Sequence, residues 1–124
     1  MSSHNFYKYP CCRQFIMVKI KMIKEVEILS STFKIVWDKT NDAGSFSWSN
    51  SEIKIGIKSM LKDPLYTLQV ISHEVMEIIL AGMGGRFVNG RTGENYLFNF
   101  DHQTFENAMQ IHTQTISKFI QWKN

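Results

Sequence analysis

One histidine and two glutamates stand close together in an otherwise apolar stretch, within the segment Ser72-His73-Glu74-Val75-Met76-Glu77. In a helix, residues four apart lie on the same face, so His73 and Glu77 would face the same way with Glu74 beside them. Burying ionisable side chains without partners costs free energy, and a divalent metal ion bound by all of them would compensate for the lost water. The spacing therefore predicts a metal site with His73 and Glu77 as ligands.

The third ligand of such a site usually comes from further along the chain. Here the candidate is His102, which would complete a set of two histidines and one carboxylate with His73 and Glu77. Many catalytic zinc sites use this set and keep a fourth position open for water. In the related His-Glu-x-x-His motif the intervening glutamate is the general base, which assigns that role to Glu74. Zinc is the predicted cofactor, and other divalent ions stay open because several accept mixed histidine and carboxylate ligands.

The same residues also have ordinary structural interpretations. His73 and Glu77 could form a side-chain pair on a partly exposed helix face. Asp101 or His102 could have the purely structural role of starting the last helix, where an acidic residue interacts favourably with the helix dipole. Asp101 and Glu106 are alternative metal ligands. Glu106 lies one helical turn after His102, where its carboxylate could hydrogen-bond the imidazole of His102 without binding the metal itself.

Two helices are predicted to position these groups. Asp63 is a good N-cap and Pro64 is favoured at the first helical position. Apolar residues at three- and four-residue steps continue the helix over residues 65–81, and the glycines that follow end it. A second helix is predicted over residues 102–122, with His112 as a satisfied core histidine on its apolar side.

Strands are predicted before and between the helices. Residues 53–57 alternate strictly, with isoleucine on one face, as in a half-buried strand. This strand is expected beside the metal-site helix, where it would bind an extended substrate by edge pairing. Residues 18–29 fit either a short helix or a strand. Other short strands are predicted over residues 32–37, 45–48, 86–88 and 96–100. The order of these strands and helices along the chain predicts an α+β fold, with a small, mostly antiparallel sheet packed against the metal-site helix and a C-terminal helix.

Length and composition describe one globular domain. The chain has 124 residues, of which 44% are hydrophobic and 20% are charged. No apolar run approaches the roughly 20 residues that span a bilayer. Cys11 and Cys12 are adjacent, so we interpret them as incidental thiols and expect a cytoplasmic location. We interpret residues 1–17 as an N-terminal extension, either disordered or upstream of the true start codon, and residues 18–124 as a single domain.

The order of the motifs resembles the minimal zincins, which are compact metallopeptidase-like domains. These include the SprT-like and ImmA/IrrE-like groups and small phage-encoded relatives. The resemblance covers about residues 20–124, from a strand and an Asp-Ala-Gly loop to the last helix. His73 matches the first ligand of the family, Glu74 its catalytic glutamate, and His102 the third ligand of SprT-like proteins. Glu77 departs from the family pattern, which has histidine at that position.

The resemblance implies a zincin-like fold and a small cytoplasmic zinc metallopeptidase that acts on a peptide or protein. His73, Glu77 and His102 would hold the metal, and Glu74 would be the general base. The alternative is a catalytically inactive zincin-fold module that binds metal or a partner protein. Glu74 favours the first function, whereas Glu77 and the short chain favour the second. Nucleic acid is a weaker expectation, because the net charge is only +3 and no basic cluster accompanies the aromatic residues. No membrane partner is expected.

Overall fold

The computed structural model describes residues 6–11, 14–84, 86–89, 95–98 and 101–123, with side chains described over residues 19–84 and 101–122. Over these residues the helices are α1 (Pro64–Gly82) and α2 (His102–Ser117). The strands are β1 (Phe6–Cys11), β2 (Gln14–Ile20), β3 (Glu25–Ile28), β4 (Ser31–Asp38), β5 (Gly44–Ser47), β6 (Glu52–Gly56), β7 (Arg86–Asn89), β8 (Asn95–Phe98) and β9 (Ile120–Lys123). Residues 1–5, 12 and 13 of the predicted extension, which include Cys12, and the end of the predicted strand 96–100 lie outside the described residues.

The described strands form three sheets. The largest has the order β3-β4-β6-β5, in which β4 and β6 are parallel and the other neighbours are antiparallel. The strands β1, β2 and β9 form a second, antiparallel sheet, and β7 pairs with β8 in a third. The α+β class is confirmed, but the strands are divided over three mixed and antiparallel sheets instead of one. The division of the chain at residue 17 stays a prediction, and β2 runs across it.

The helix α1 follows its sequence signals closely. The Asp63 side chain accepts a hydrogen bond from the Tyr66 amide at 3.2 Å, as an N-cap does, and Pro64 occupies the first helical position. The helix ends where Gly84 adopts a positive φ of 76°, a conformation that costs glycine little because it has no Cβ. The predicted helix and both of its ends are therefore confirmed.

The core lies between α1 and the four-stranded sheet. Ile53 and Ile55 of β6 are fully buried, as the alternating pattern predicts, and they meet the apolar face of α1. The other large apolar side chains that are fully buried come from the neighbouring strands, from α1 and from the segment after α2: Ile28, Phe33, Ile71, Val75, Ile78, Ile79 and Phe119. Because α1 is held by this core along most of its length, the backbone from which the side chains of its remaining face project is fixed in place.

The C-terminal segment differs from the prediction. The helix α2 ends at Ser117 instead of continuing to Trp122, and β9 follows it and pairs with β2. Phe119 is fully buried at this turn and contacts Trp37, with ring centroids 6.2 Å apart. Burial of this large aromatic side chain and the pairing with β2 override the helical continuation, and the isoleucine and tryptophan of β9 are residue types enriched in strands. The ambiguous stretch 18–29 becomes the end of β2 and the strand β3.

Shortening a buried side chain of β6 is expected to destabilise the protein strongly. Ile55→Ala removes three carbons from a fully buried site, and such changes cost about 2–5 kcal/mol of unfolding free energy. The matched control is Leu61→Ala, since Leu61 is 60% exposed and its loss should cost no more than about 0.5 kcal/mol. Urea unfolding monitored by circular dichroism measures both values. Equal losses in the two variants would contradict this description of the core.

Candidate metal centre

Three ionisable side chains of α1 converge on one point. The Nε2 atom of His73 lies 3.0 Å from Oε2 of Glu77 and 3.8 Å from Oε2 of Glu74. One ligand atom from each of the three residues lies within 4.8 Å of the others, and this is the one such group of histidine, cysteine and acidic residues among the described part of the chain. The helical spacing of the three residues thus brings them together as the sequence predicts. We call His73, Glu74 and Glu77 the metal group.

The three side chains differ in their exposure to solvent. The His73 side chain is 66% exposed, that of Glu77 is 19% exposed and that of Glu74 is 7% exposed. The group therefore runs from an open edge at His73 to a nearly buried carboxylate at Glu74. A carboxylate that is withdrawn from bulk water interacts more strongly with a nearby cation, because the surroundings screen the charge less.

The carboxylate of Glu74 is packed against the start of β5. A Cβ atom added at Gly44 would lie 2.6 Å from Cγ1 of Val70 and 2.9 Å from Cγ of Glu74, both closer than real Cβ atoms approach other heavy atoms. Glycine at this position is therefore what allows β5 and α1 to approach this closely. A larger residue at position 44 would push α1, or the Glu74 side chain, away from its place.

Hydrogen bonds fix the loop that precedes Gly44. Asp42 accepts hydrogen bonds from the Ser59 amide at 2.7 Å and from the Ser59 hydroxyl at 2.9 Å, which ties the loop to the segment before α1. The carboxylate of Asp38 accepts hydrogen bonds from Thr40 and Asn41, and these bonds lower the pKa of Asp38 to about 2. The loop is thus held at both ends, and the position of β5 against Glu74 follows from it.

An open cleft of about 330 Å³ lies beside the three ionisable groups. The cleft is lined by His73 and Glu74 together with Ala43, Gly44, Tyr66, Gln69 and Val70. Among these lining residues the carboxylate of Glu74 is the one acidic group. A neutral molecule of modest size could therefore reach both His73 and Glu74 from solvent.

The donor atoms of this group suit a divalent metal ion. Two ligand atoms that hold a zinc ion in a tetrahedral arrangement lie about 3.4 Å apart, since each is about 2.1 Å from the ion. The separations from His73 Nε2 to the two carboxylate oxygens, 3.0 and 3.8 Å, bracket this value. One imidazole and two carboxylates suit zinc and several other divalent ions. The residues present therefore fit a metal ion.

The structure does not bring His102 into this group. Its Nε2 atom lies 3.0 Å from Oε1 of Glu106, one turn along α2, and its side chain is 84% exposed. Asp101 is the N-cap of α2 and accepts a hydrogen bond from the Thr104 amide at 2.8 Å, which lowers the pKa of Asp101. The expected hydrogen bond between His102 and Glu106 is thus present, and Asp101 begins α2 as its structural interpretation predicts.

His112 lies apart from the metal group and connects the two helices. Its Nε2 atom is 2.9 Å from the Ser72 hydroxyl and 3.3 Å from the Ser72 carbonyl oxygen. The prediction of a satisfied histidine is confirmed, but His112 is only partly buried and lies beside the core. Sequence reasoning did not identify Ser72 as its partner, although its place next to His73 means that α2 holds α1 just before the metal group. A polar residue on the buried side of an apolar helix is the signal that could have revealed this contact.

Comparisons with known proteins identify no relative of this chain: no family model, no curated protein and no solved structure matches it. The zincin resemblance therefore stays a prediction from the motifs. Neither of the helices within the described residues has the length and apolarity that a membrane crossing requires.

Replacing Gly44 is expected to disturb the metal group through Glu74. In Gly44→Ala the new methyl group meets Val70 and Glu74, so we expect a loss of stability of about 1–3 kcal/mol, as for other overpacked sites. The metal affinity should fall in parallel only if Glu74 is itself a ligand of the ion. The matched control is Ser45→Ala at the next, exposed residue of β5, which should change neither quantity. Urea unfolding and zinc titration calorimetry measure the two effects. Unchanged stability in Gly44→Ala would contradict the close approach of β5 and α1.

Proposed function

We propose that this protein is a metal-dependent hydrolase of the zincin-like type, most simply a small peptidase. The observation that supports the proposal best is the convergence of His73, Glu74 and Glu77 beside an open cleft. His73 and Glu77 would hold the ion, which is zinc or a similar divalent metal. His102, the third ligand that the family resemblance implies, would have to leave Glu106 to join them.

The chain's own residues would divide the chemistry among them. A bound divalent ion would supply Lewis acidity, which polarises a substrate carbonyl and makes water a stronger acid. Glu74 would accept a proton from the attacking water at its Oε2 atom and would later deliver it to the leaving amine. Its low exposure supports this role, because a carboxylate near an ion and away from bulk water exchanges protons with the substrate more readily than with solvent. His73 would keep the exposed side of the ion in place.

An extended peptide is the substrate class that the surroundings favour. The sequence analysis expects strand 53–57 to bind a substrate by edge pairing. This expectation is wrong, because the corresponding strand β6 lies inside the sheet, between β4 and β5, and has no free edge. Among the described strands, β5 lies at the edge of the sheet beside α1 and next to the cleft. A substrate strand could pair with β5 and bring its peptide bond to His73 and Glu74.

A second function has a specific observation in its favour. The Glu74 carboxylate lies only 3.8 Å from His73 Nε2, which is within the range of a third metal ligand. If all three residues of α1 coordinate the ion, no carboxylate of this group is left to act as a base. The protein would then be a metal-binding or protein-binding module without catalysis. The hydrolase and the non-catalytic module therefore differ in whether replacing Glu74 lowers the affinity for the metal.

Metal binding is expected to depend on His73 and Glu77 of α1, and the same measurement decides whether His102 takes part. We expect one zinc ion per chain by elemental analysis, and we expect His73→Ala and Glu77→Gln each to lower zinc affinity at least about tenfold. The chain offers a matched control in His102 and Glu106, which have the same residue types, spacing and 3.0 Å contact on α2. If His102→Ala weakens zinc as strongly as His73→Ala, the ligand set of the sequence analysis holds; if it has no effect, the ion belongs to α1 alone. A protein that binds no divalent ion would contradict the proposal.

Replacing Glu74 by the neutral glutamine is expected to distinguish the hydrolase from the non-catalytic module. As a general base, Glu74→Gln should keep zinc affinity and lower peptide cleavage by about a hundredfold or more. Cleavage is measured on the zinc-loaded chain with a peptide library and mass spectrometry of the products. If Glu74 is a ligand instead, the same variant loses zinc affinity. Retained cleavage in a zinc-loaded Glu74→Gln chain would contradict the assignment of the base.

A further inference from the structure

A second cleft, of about 240 Å³, lies where the end of β2, the strand β9 and the start of α1 meet. It shares no lining residue with the cleft beside the metal group. Its apolar lining residues are Ile20, Met22, Met60 and Pro64, and its polar lining residues are Lys19, Lys21 and Gln121. The lining therefore combines two cations with apolar surface, and none of these residues is acidic.

The two lysines of this cleft lie on the same face of the sheet. The Lys21 amide donates a hydrogen bond to the Phe119 carbonyl oxygen at 2.7 Å, so the pairing of β2 with β9 continues as far as Lys21. Residues two apart in an extended chain project to the same side, at a spacing of about 7 Å. Gln121 is opposite Lys19 in the register and shares that side. Two like charges at this spacing repel each other, and an anion between them would be attracted by both.

The apolar residues of the cleft combine a rigid part with an adaptable part. Ile20 is 7% exposed and Pro64 is buried, so the core holds both in place. Met60 packs against the core and Met22 is 44% exposed, and unbranched methionine side chains adjust to the shape of an apolar ligand. The volume of the cleft equals that of about eight water molecules at about 30 Å³ each, so a chain of about six to eight methylene groups, each similar in size to a water molecule, would fill it.

The start of α1 does not make this cleft a phosphate site. Pro64 has no amide hydrogen, and the Asp63 carboxylate, which is not part of the lining, accepts a hydrogen bond from the Tyr66 amide as the N-cap. A bare inorganic anion would therefore meet only the side chains of the lysines and of Gln121, and it would leave the apolar lining in contact with water. A neutral apolar molecule would gain nothing from the two ammonium groups.

We propose that this cleft binds a small amphiphilic carboxylate. Its carboxylate lies between Lys19 and Lys21 and accepts hydrogen bonds from their ammonium groups, which are stronger than bonds between neutral groups. Its apolar chain lies against Met22 and Met60 and displaces water from them. The cleft and the metal group share no residue, so this site stands whether or not the protein is a hydrolase.

Titration of octanoate into the isotope-labelled full chain, followed by nuclear magnetic resonance, tests the proposal. We expect the amide signals of Ile20, Lys21 and Gln121 to shift, with a dissociation constant of about 1 mM or lower. Octylammonium and inorganic phosphate should each bind at least about tenfold more weakly, because the first has the wrong charge and the second has no apolar chain. This comparison of three ligands needs no variant of the protein.

Replacing the two lysines tests the position of the headgroup. The double variant Lys19→Gln, Lys21→Gln should bind octanoate at least about fivefold more weakly, because both ion pairs with the carboxylate are lost. The matched control is Lys34→Gln, since Lys34 is an exposed lysine of β4 outside the cleft. Its dissociation constant should not change, and circular dichroism checks that both variants fold.

Four results would overturn the proposal. The first is an octanoate titration that shifts none of the three amides at concentrations up to about 10 mM, tenfold above the expected dissociation constant. The second is octylammonium binding as tightly as octanoate, which would remove the role of the lysines. The third is inorganic phosphate binding as tightly as octanoate, which would remove the role of the apolar lining. The fourth is an unchanged octanoate affinity in the folded double variant.

Discussion

The nearly buried carboxylate of Glu74 is the constraint on which the proposed site depends. It lies on the side of α1 that packs against the sheet, where apolar residues surround it on the same helix. An ionised group in such a place needs compensating charge or hydrogen bonds, because it has lost most of its water. The structure supplies an imidazole 3.8 Å away and a second carboxylate one turn further along α1. A divalent cation at this point would neutralise both carboxylates at once.

Much of the surrounding architecture keeps this arrangement in place. Asp42 holds the loop before β5 to Ser59, and Gly44 lets β5 approach α1 at Glu74. On the other side, His112 of α2 binds Ser72, the residue before His73. The metal group is thus fixed by contacts from a sheet edge and from the second helix. Its exposed side, at His73, is left open to a cleft that a substrate or partner can enter.

The helix α1 and the strands around it could be predicted because their signals are local. Asp63, Pro64 and the apolar periodicity define α1, and strict alternation defines β6. The convergence of His73, Glu74 and Glu77 follows from helical geometry alone, so it too could be predicted. Features that depend on distant contacts could not. Burial of Phe119 ends α2 early, and the position of β6 between two strands depends on pairing that no local pattern reveals. The place of His102, which requires the packing of α2, is of the same kind.

X-ray absorption at the zinc edge, on the full chain loaded with one equivalent of zinc, tests the central claim most directly. The account predicts an ion coordinated by nitrogen and oxygen, with imidazole scattering that weakens in His73→Ala. It also predicts no sulfur at about 2.3 Å, the distance of a zinc–thiolate bond. An ion with sulfur ligands would place the metal at the cysteines, away from α1. An imidazole signal of unchanged strength in His73→Ala would equally contradict a metal centre built on this helix.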